Sequence, residues 1–227
     1  MMEPSTIDEA PPPSDDATLD TPARIAEEGM RLFAREGMNA VSLRRVVQAA
    51  GAQNPSALHY HFGTREGLVA AIAERLRQRL EPRACARLDA MAGTAFSLRD
   101  VMEATFGPVL ELLEDRRWGR DAVAFIGRLG WDFGERGQEL SADLHRQILA
   151  RALARLQECV PEAGVETLQF RLIVSMNAVY YGVSYRNYLK RSPFGPMPLA
   201  EAGNEARERR EFMDYLEAGM RTIPPPS

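Results

Sequence analysis

Residues 42–62, SLRRVVQAAGAQNPSALHYHF, constrain this chain more than any other stretch. Ser42 is of the type that caps a helix, and Leu43, Val46 and Val47 recur inward at helical spacing through Ala49. Gly51 follows, where a residue free to adopt left-handed backbone ends a helix. Asn54-Pro55 repeats the start signal for another short helix ending near Phe62. Helices this short are marginal alone in water and must pack on something larger. The larger element precedes them: Thr21-Pro22 opens an amphipathic segment with Ile25, Met30, Leu32 and Phe33, and Gly37 stops it. The pattern predicts a three-helix unit of helix-turn-helix type.

The last of these helices has two faces. Leu58 and Phe62 lie four apart and are expected to pack on Leu43, Val47 and Phe33. Ser56, His59 and Tyr60 share another face, with Ala57 beside them. Small residues there permit close approach to a surface, and polar ones reach base edges and phosphates, which is what a helix in a DNA major groove requires. Ser42 and Thr64 open helices whose free N–H groups attract phosphate oxygens, and Arg44, Arg45 and Arg65 follow them. Alone, an Arg-Arg pair reads as solvated surface; in this setting phosphate contact is the better reading.

Net charge is −4, which taken alone argues against nucleic acid. The charge is unevenly spread. Residues 1–20 carry six acids and no base, whereas residues 21–80 carry nine Arg against five Glu. A basic module inside an acidic chain suits a protein whose DNA affinity sits in one part of it.

The run RLFAREGMNAVSLRRVVQAAGAQNPSALHYHFGTREGLVAAI resembles the TetR family of regulators. It has a Phe near the end of the first helix, a Ser-opened second helix, Ala-Gly, a short helix ending in an aromatic-His-Phe group, and Thr-Arg-Glu-x-Leu opening helix four. Three features depart from the family pattern: the turn after Gly51 is one residue longer, Gly63 stands where Pro is frequent, and His59 follows Leu58. Carried over by position, the resemblance implies phosphate contacts from Tyr60, His61, Thr64 and Arg65. It implies base readout from Gln53, Asn54, Ser56, Ala57 and His59. It further implies double-stranded operator DNA as partner, a homodimer formed by the last two long helices, and a small-molecule effector enclosed by the middle helices. Met102, Phe106, Trp118, Phe125, Trp131, Met176 and Tyr180 are the candidate lining, which suggests a mostly apolar effector. The stripe Met176, Tyr180, Tyr181, Tyr185 and Tyr188 reads equally as subunit interface or as intramolecular core.

The remainder reads as helices near 97–114 (bent at Gly107-Pro108), 118–133, 139–159, 165–190 and 204–221, with no strand pattern. The expected fold is all-α: a disordered tail at 1–20, a helix-turn-helix domain at 21–66, and a helical ligand-binding and dimerisation domain at 81–227. Helix four, about 65–80, connects them and is expected to end or kink at Glu81-Pro82. Cys85 and Cys159 read as small buried hydrophobes. His59 and His61 project about 200° apart on a helix and cannot share a metal ion. No catalytic triad, Gly-rich phosphate loop or H-E-x-x-H occurs, so no enzyme, cofactor or metal is expected. No apolar stretch reaches the ~18 residues of a membrane span, and no signal segment is seen, so a cytoplasmic location is expected. The rival readings are a regulator answering to a protein partner and a helical small-molecule carrier without sequence-specific DNA binding.

Overall fold

The computed structural model describes residues 21–52, 57–115, 117–184, 190–201 and 203–221. Among these the regular structure is helical, apart from a lone bridge between Ser192 and Gly195. Three helices form the N-terminal unit: α1 (Thr21–Glu36), α2 (Leu43–Ala49) and α3 (Ala57–Phe62). They pack mutually and on α4 (Arg65–Asp89). The core of this unit is Ile25, Phe33, Met38, Val41, Val46 and Leu58, each at most 1% exposed.

The capping chemistry read from the sequence is present. The Ser42 hydroxyl accepts from the Arg45 N–H at 3.3 Å, and Thr64 Oγ1 accepts from the Gly67 N–H at 3.1 Å. Gly51 and Gly63, at the two joints flanking α3, have φ of +60° and +69°. This left-handed backbone costs a residue with a Cβ about 1 kcal/mol or more.

At α4 one of the two expected outcomes is excluded. The helix does not end at Glu81-Pro82 but runs 25 residues to Asp89 with Pro82 inside it. The missing proline N–H costs one backbone bond. Packing overrides it: Leu80 before the proline and Ala84 and Leu88 after it are essentially fully buried against the C-terminal helices. Arg77, bonded to both Glu74 and Glu81, ties the turns leading up to it.

Five further α-helices follow among the described residues: α5 (Leu98–Leu112), α6 (Gly119–Asp132), α7 (Gly134–Cys159), α8 (Val165–Ser184) and α9 (Glu205–Arg221). Helix α5, opened by a Ser97–Asp100 capping box, is the central rod, buried along most of its length; it contacts α4, α6, α7, α8 and α9. Helix α7 starts at Gly134, with only Phe133 between it and the end of α6, and not at 139 as the sequence pattern suggested. The expected tail at 1–20 lies outside the described residues. Among the described residues no helix is long and apolar enough to cross a membrane.

Candidate DNA-binding site and its coupling to the helical core

Helix α3 has six residues and holds its place through Leu58, 1% exposed, with Phe62 half-buried beside it. With that face anchored, the other is turned outward. Tyr60 is 85% exposed, and His59 and His61 are exposed on either side of it. The Tyr60 and His61 rings meet edge to face at 4.9 Å, which limits the rotamers of both. His59 Nδ1 lies 2.8 Å from the Gly63 carbonyl, which can only accept, so Nδ1 carries the proton and donates. That bond pins the ring at the end of α3 and leaves Nε2 outward.

The expected phosphate-contacting arginines are not equivalent. Arg44 is exposed on α2, with no carboxylate partner among the described residues. Arg45 forms a bidentate pair with Glu36, one arm at 2.8 Å, so part of its charge is neutralised at the end of α1. Arg65 faces inward. Its Nη1 donates to the carbonyls of Met38 and Val41, both at 2.7 Å, and the guanidinium sits over the Phe33 ring at 5.7 Å. It braces the loop between α1 and α2 against the start of α4. Ser42 and Thr64 are exposed at their helix starts. Gln53, Asn54 and Ser56 lie outside the described residues, and Ala57 is described only as the first residue of α3.

Sequence reasoning missed how the N-terminal unit is fastened to the core. Arg35 at the end of α1 forms a bidentate pair with Asp121 on α6, at 3.0 and 2.8 Å. Hydrogen bonding to Asp121 raises the Arg35 pKa above its usual value. Arg128 on α6 donates to the Ala34 carbonyl at 2.8 Å, and Asn39 donates to the Asp132 carbonyl at 2.8 Å. These contacts join residues 86 to 94 positions apart, and no local spacing signals them. Helix α6 therefore touches the DNA-binding unit directly, alongside the covalent path through α4.

Of the seven residues expected to line an effector pocket, six belong to or pack against one hydrophobic core, and Trp131 stands apart. Met102, Phe106, Phe125 and Tyr180 are at most 4% exposed and belong to the core, with Met176 packed against it. Trp131 is 67% exposed, edge-on to Tyr181 at 5.9 Å. Trp118 lines a cleft of about 590 Å³ between α1, α4 and the turn leading into α6. Tyr180 has an unforeseen partner in His145, a buried histidine of α7. No group of three or more His, Cys, Asp or Glu among the described residues could hold a metal.

Comparison with known proteins agrees with this architecture. Residues 25–72 match the family described as bacterial regulatory proteins, tetR family. Residues 103–219 match the tetracyclin repressor-like C-terminal domain. No curated protein matches by sequence. The chain is similar in structure to the TetR family transcriptional regulator PfmR from Thermus thermophilus, with a TM-score of 0.55 at 19% identity. That match covers 92% of this chain and all of that one. It is similar to Salmonella enterica GusR, with a TM-score of 0.54 at 17% identity over 88% of this chain and 93% of that one. A tetR-family bacterial regulatory protein from Rhodococcus RHA1 gives 0.54 at 18% identity, over 92% of this chain and all of that one. At such identities the solved structures speak to fold alone. The family matches together span most of the sequence, and the chain belongs to the TetR family of bacterial regulatory proteins.

Proposed function

We propose that this DNA-binding transcriptional regulator is a ligand-responsive repressor in the cytoplasm, which binds a palindromic operator as a homodimer and is released by a small, mostly apolar effector. The observation that carries the reading is the outward face of α3. Tyr60 and His61 stand exposed on a helix whose opposite side is locked by Leu58, with the unpaired Arg44 nearby on α2. Such a face can enter a major groove, while Arg44 and the helix starts at Ser42 and Thr64 meet phosphates. Gln53, Asn54, Ser56, Ala57 and His59 are proposed to read bases. Tyr60, His61 and Thr64 are proposed to hold the backbone with Arg44 and Arg45. Arg65 is proposed to position them from behind.

Dimerisation is supported by helix α8, which leaves Phe170, Ile173 and Val174 exposed at i, i+3 and i+4. Tyr215 on α9 is 64% exposed as well. Exposed apolar residues on the last two helices are what a self-complementary interface uses. Pairing there would set two copies of α3 about 34–36 Å apart, one turn of DNA.

The test is fluorescence anisotropy with a labelled duplex taken from upstream of the protein's own gene and a scrambled duplex of equal length, at physiological salt. Tighter binding to the native duplex by about a hundredfold or more is expected. Equal binding to both defeats the sequence-specific reading.

A further inference from the structure

We propose that the cleft beside Trp118 binds an organic monoanion, a carboxylate carried on an aryl or short alkyl body. For its effect on DNA, though not for the binding itself, this rests on the ligand-responsive reading above. The cleft, open on one side, has a volume of about 590 Å³, within the ~300–1,000 Å³ range of small-molecule sites. Its walls differ in chemistry. Met30 of α1 and Ile72 and Leu76 of α4 give an apolar surface, while Arg75, Arg79 and Arg117 stand along its polar side.

The balance of charge identifies the ligand class. Arg117 is matched by Glu27 at 3.2 Å. Arg79 lies over the Trp118 ring at 4.4 Å and reaches Asp115 at 4.0 Å. Arg75 has no carboxylate partner among the described residues, which leaves one positive charge uncompensated. A cation would be repelled, and a neutral molecule would leave Arg75 unanswered. A single carboxylate matches Arg75 in charge and, through the planar fork of the guanidinium, in shape. The apolar body would then lie along Met30, Ile72 and Leu76, with the indole of Trp118 at its flank.

The position gives the site its effect. Helices α1 and α4 approach closely next to the cleft: a Cβ placed on Gly29 would sit 3.2 Å from Leu68 Cδ2. A ligand lodged between Met30 and Leu76 bears on both helices at once, and α1 carries the packing surface of α3. Occupancy therefore acts on the DNA-binding unit without passing through the core of the C-terminal domain.

The experiment uses the full chain carrying Trp131→Phe, which makes Trp118 the sole indole of the two in the sequence. Phenylbutyrate and octanoate are each titrated beside the corresponding alcohol, following Trp118 emission. Saturable binding of at least one acid, about tenfold or more tighter than its alcohol, is expected. Arg75→Gln should remove about tenfold from the acid and leave the alcohol unchanged. Since Arg75 is exposed and unpaired, its replacement should leave the melting temperature unaltered, which circular dichroism checks. Equal affinity for acid and alcohol, indifference to Arg75→Gln, or no saturable change with either acid overturns the proposal. A parallel operator titration separates the two readings. Acid-selective binding by a protein that never retains operator supports the site and sinks the regulator reading, whereas operator binding without acid binding does the reverse.

Discussion

The Tyr180 hydroxyl donates to Nε2 of His145 across 2.6 Å, joining α8 to α7 in the interior of the C-terminal domain. The direction of that bond is fixed from the far side of the ring. His145 Nδ1 is 2.6 Å from the Ser141 carbonyl, which cannot donate, so Nδ1 holds the ring proton and Nε2 is left as acceptor. Burial favours the neutral imidazole and pushes its pKa from 6.5 down to about 4. Burial likewise raises the Tyr180 hydroxyl far above its ordinary value, so it stays protonated as the donor.

Folding stability should therefore depend on acid in one direction. Above pH 6.5 His145 is neutral in both folded and unfolded chains, and its contribution is fully present. As pH falls from 6.5 toward 4 the unfolded chain takes up a proton that the folded chain refuses, and stability is lost. The loss from this group between pH 7 and pH 5 is about 2 kcal/mol. Urea unfolding of the wild type and of His145→Asn at the two pH values measures it. The variant is less stable at pH 7 but should lack about 2 kcal/mol of the wild type's acid sensitivity. Tyr180→Phe should cost about 1–3 kcal/mol at pH 7, since it strips a buried acceptor of its donor.

At the turn into α3, Gly51 has φ of +60° with nothing within 4 Å of where a Cβ would go. The penalty for a side chain there is thus backbone strain and not collision. Gly51→Asn should cost less than about 1 kcal/mol, while Gly51→Val should cost about 2 kcal/mol, because β-branched residues resist left-handed backbone most. Thermal denaturation ranks the two. Equal melting temperatures would contradict the geometry.

Arg65 and Arg44 should separate when substituted. Arg44→Ala, like Tyr60→Phe, is expected to weaken binding to every duplex; the arginine variant should also lower the slope of log affinity against log salt by about one. Arg65→Ala removes the donor to Met38 and Val41 and should destabilise the N-terminal unit by about 1–3 kcal/mol with little change in slope. Salt-dependent anisotropy together with calorimetry distinguishes a lost phosphate contact from a lost brace. Substituting His59 should instead alter sequence preference.

Ile173→Arg places a charge in the middle of the exposed α8 stripe. Since Ile173 is half exposed in the isolated chain, the fold should tolerate the change. Sedimentation velocity is expected to show monomers where the wild type shows dimers, and operator affinity should fall by roughly two orders of magnitude or more. A dimer that survives this substitution would move the interface elsewhere.

Much of the N-terminal unit was legible because its signals are local. Ser42 and Thr64 cap the helices they were expected to cap, and Leu58 faces inward while Tyr60 faces out. Period and punctuation suffice for such features. What escaped depends on partners distant in sequence. Pro82 reads as the end or a kink of the helix until α5 and α7 pack around α4 and keep its second half helical. Trp131 and Phe125 look alike as pocket candidates at helical spacing, yet one is exposed and the other fully buried. His145 shows no partner side chain within its own helix, because the hydroxyl it meets lies 35 residues away. Arg65 follows a helix start as a phosphate-binding residue does, and only the fold of the preceding loop turns it toward carbonyls.

Since α4 is continuous through Pro82, its 25 residues form a rod about 37 Å long. A hinge at the proline would have absorbed small displacements; an unbroken rod magnifies them. Pivoting by about 5° around its far end would swing the near end, and α3 with it, by about 3 Å, given that length. Adjustments among core side chains too slight to alter their packing would then reach the DNA surface as a misfit comparable to the length of a hydrogen bond.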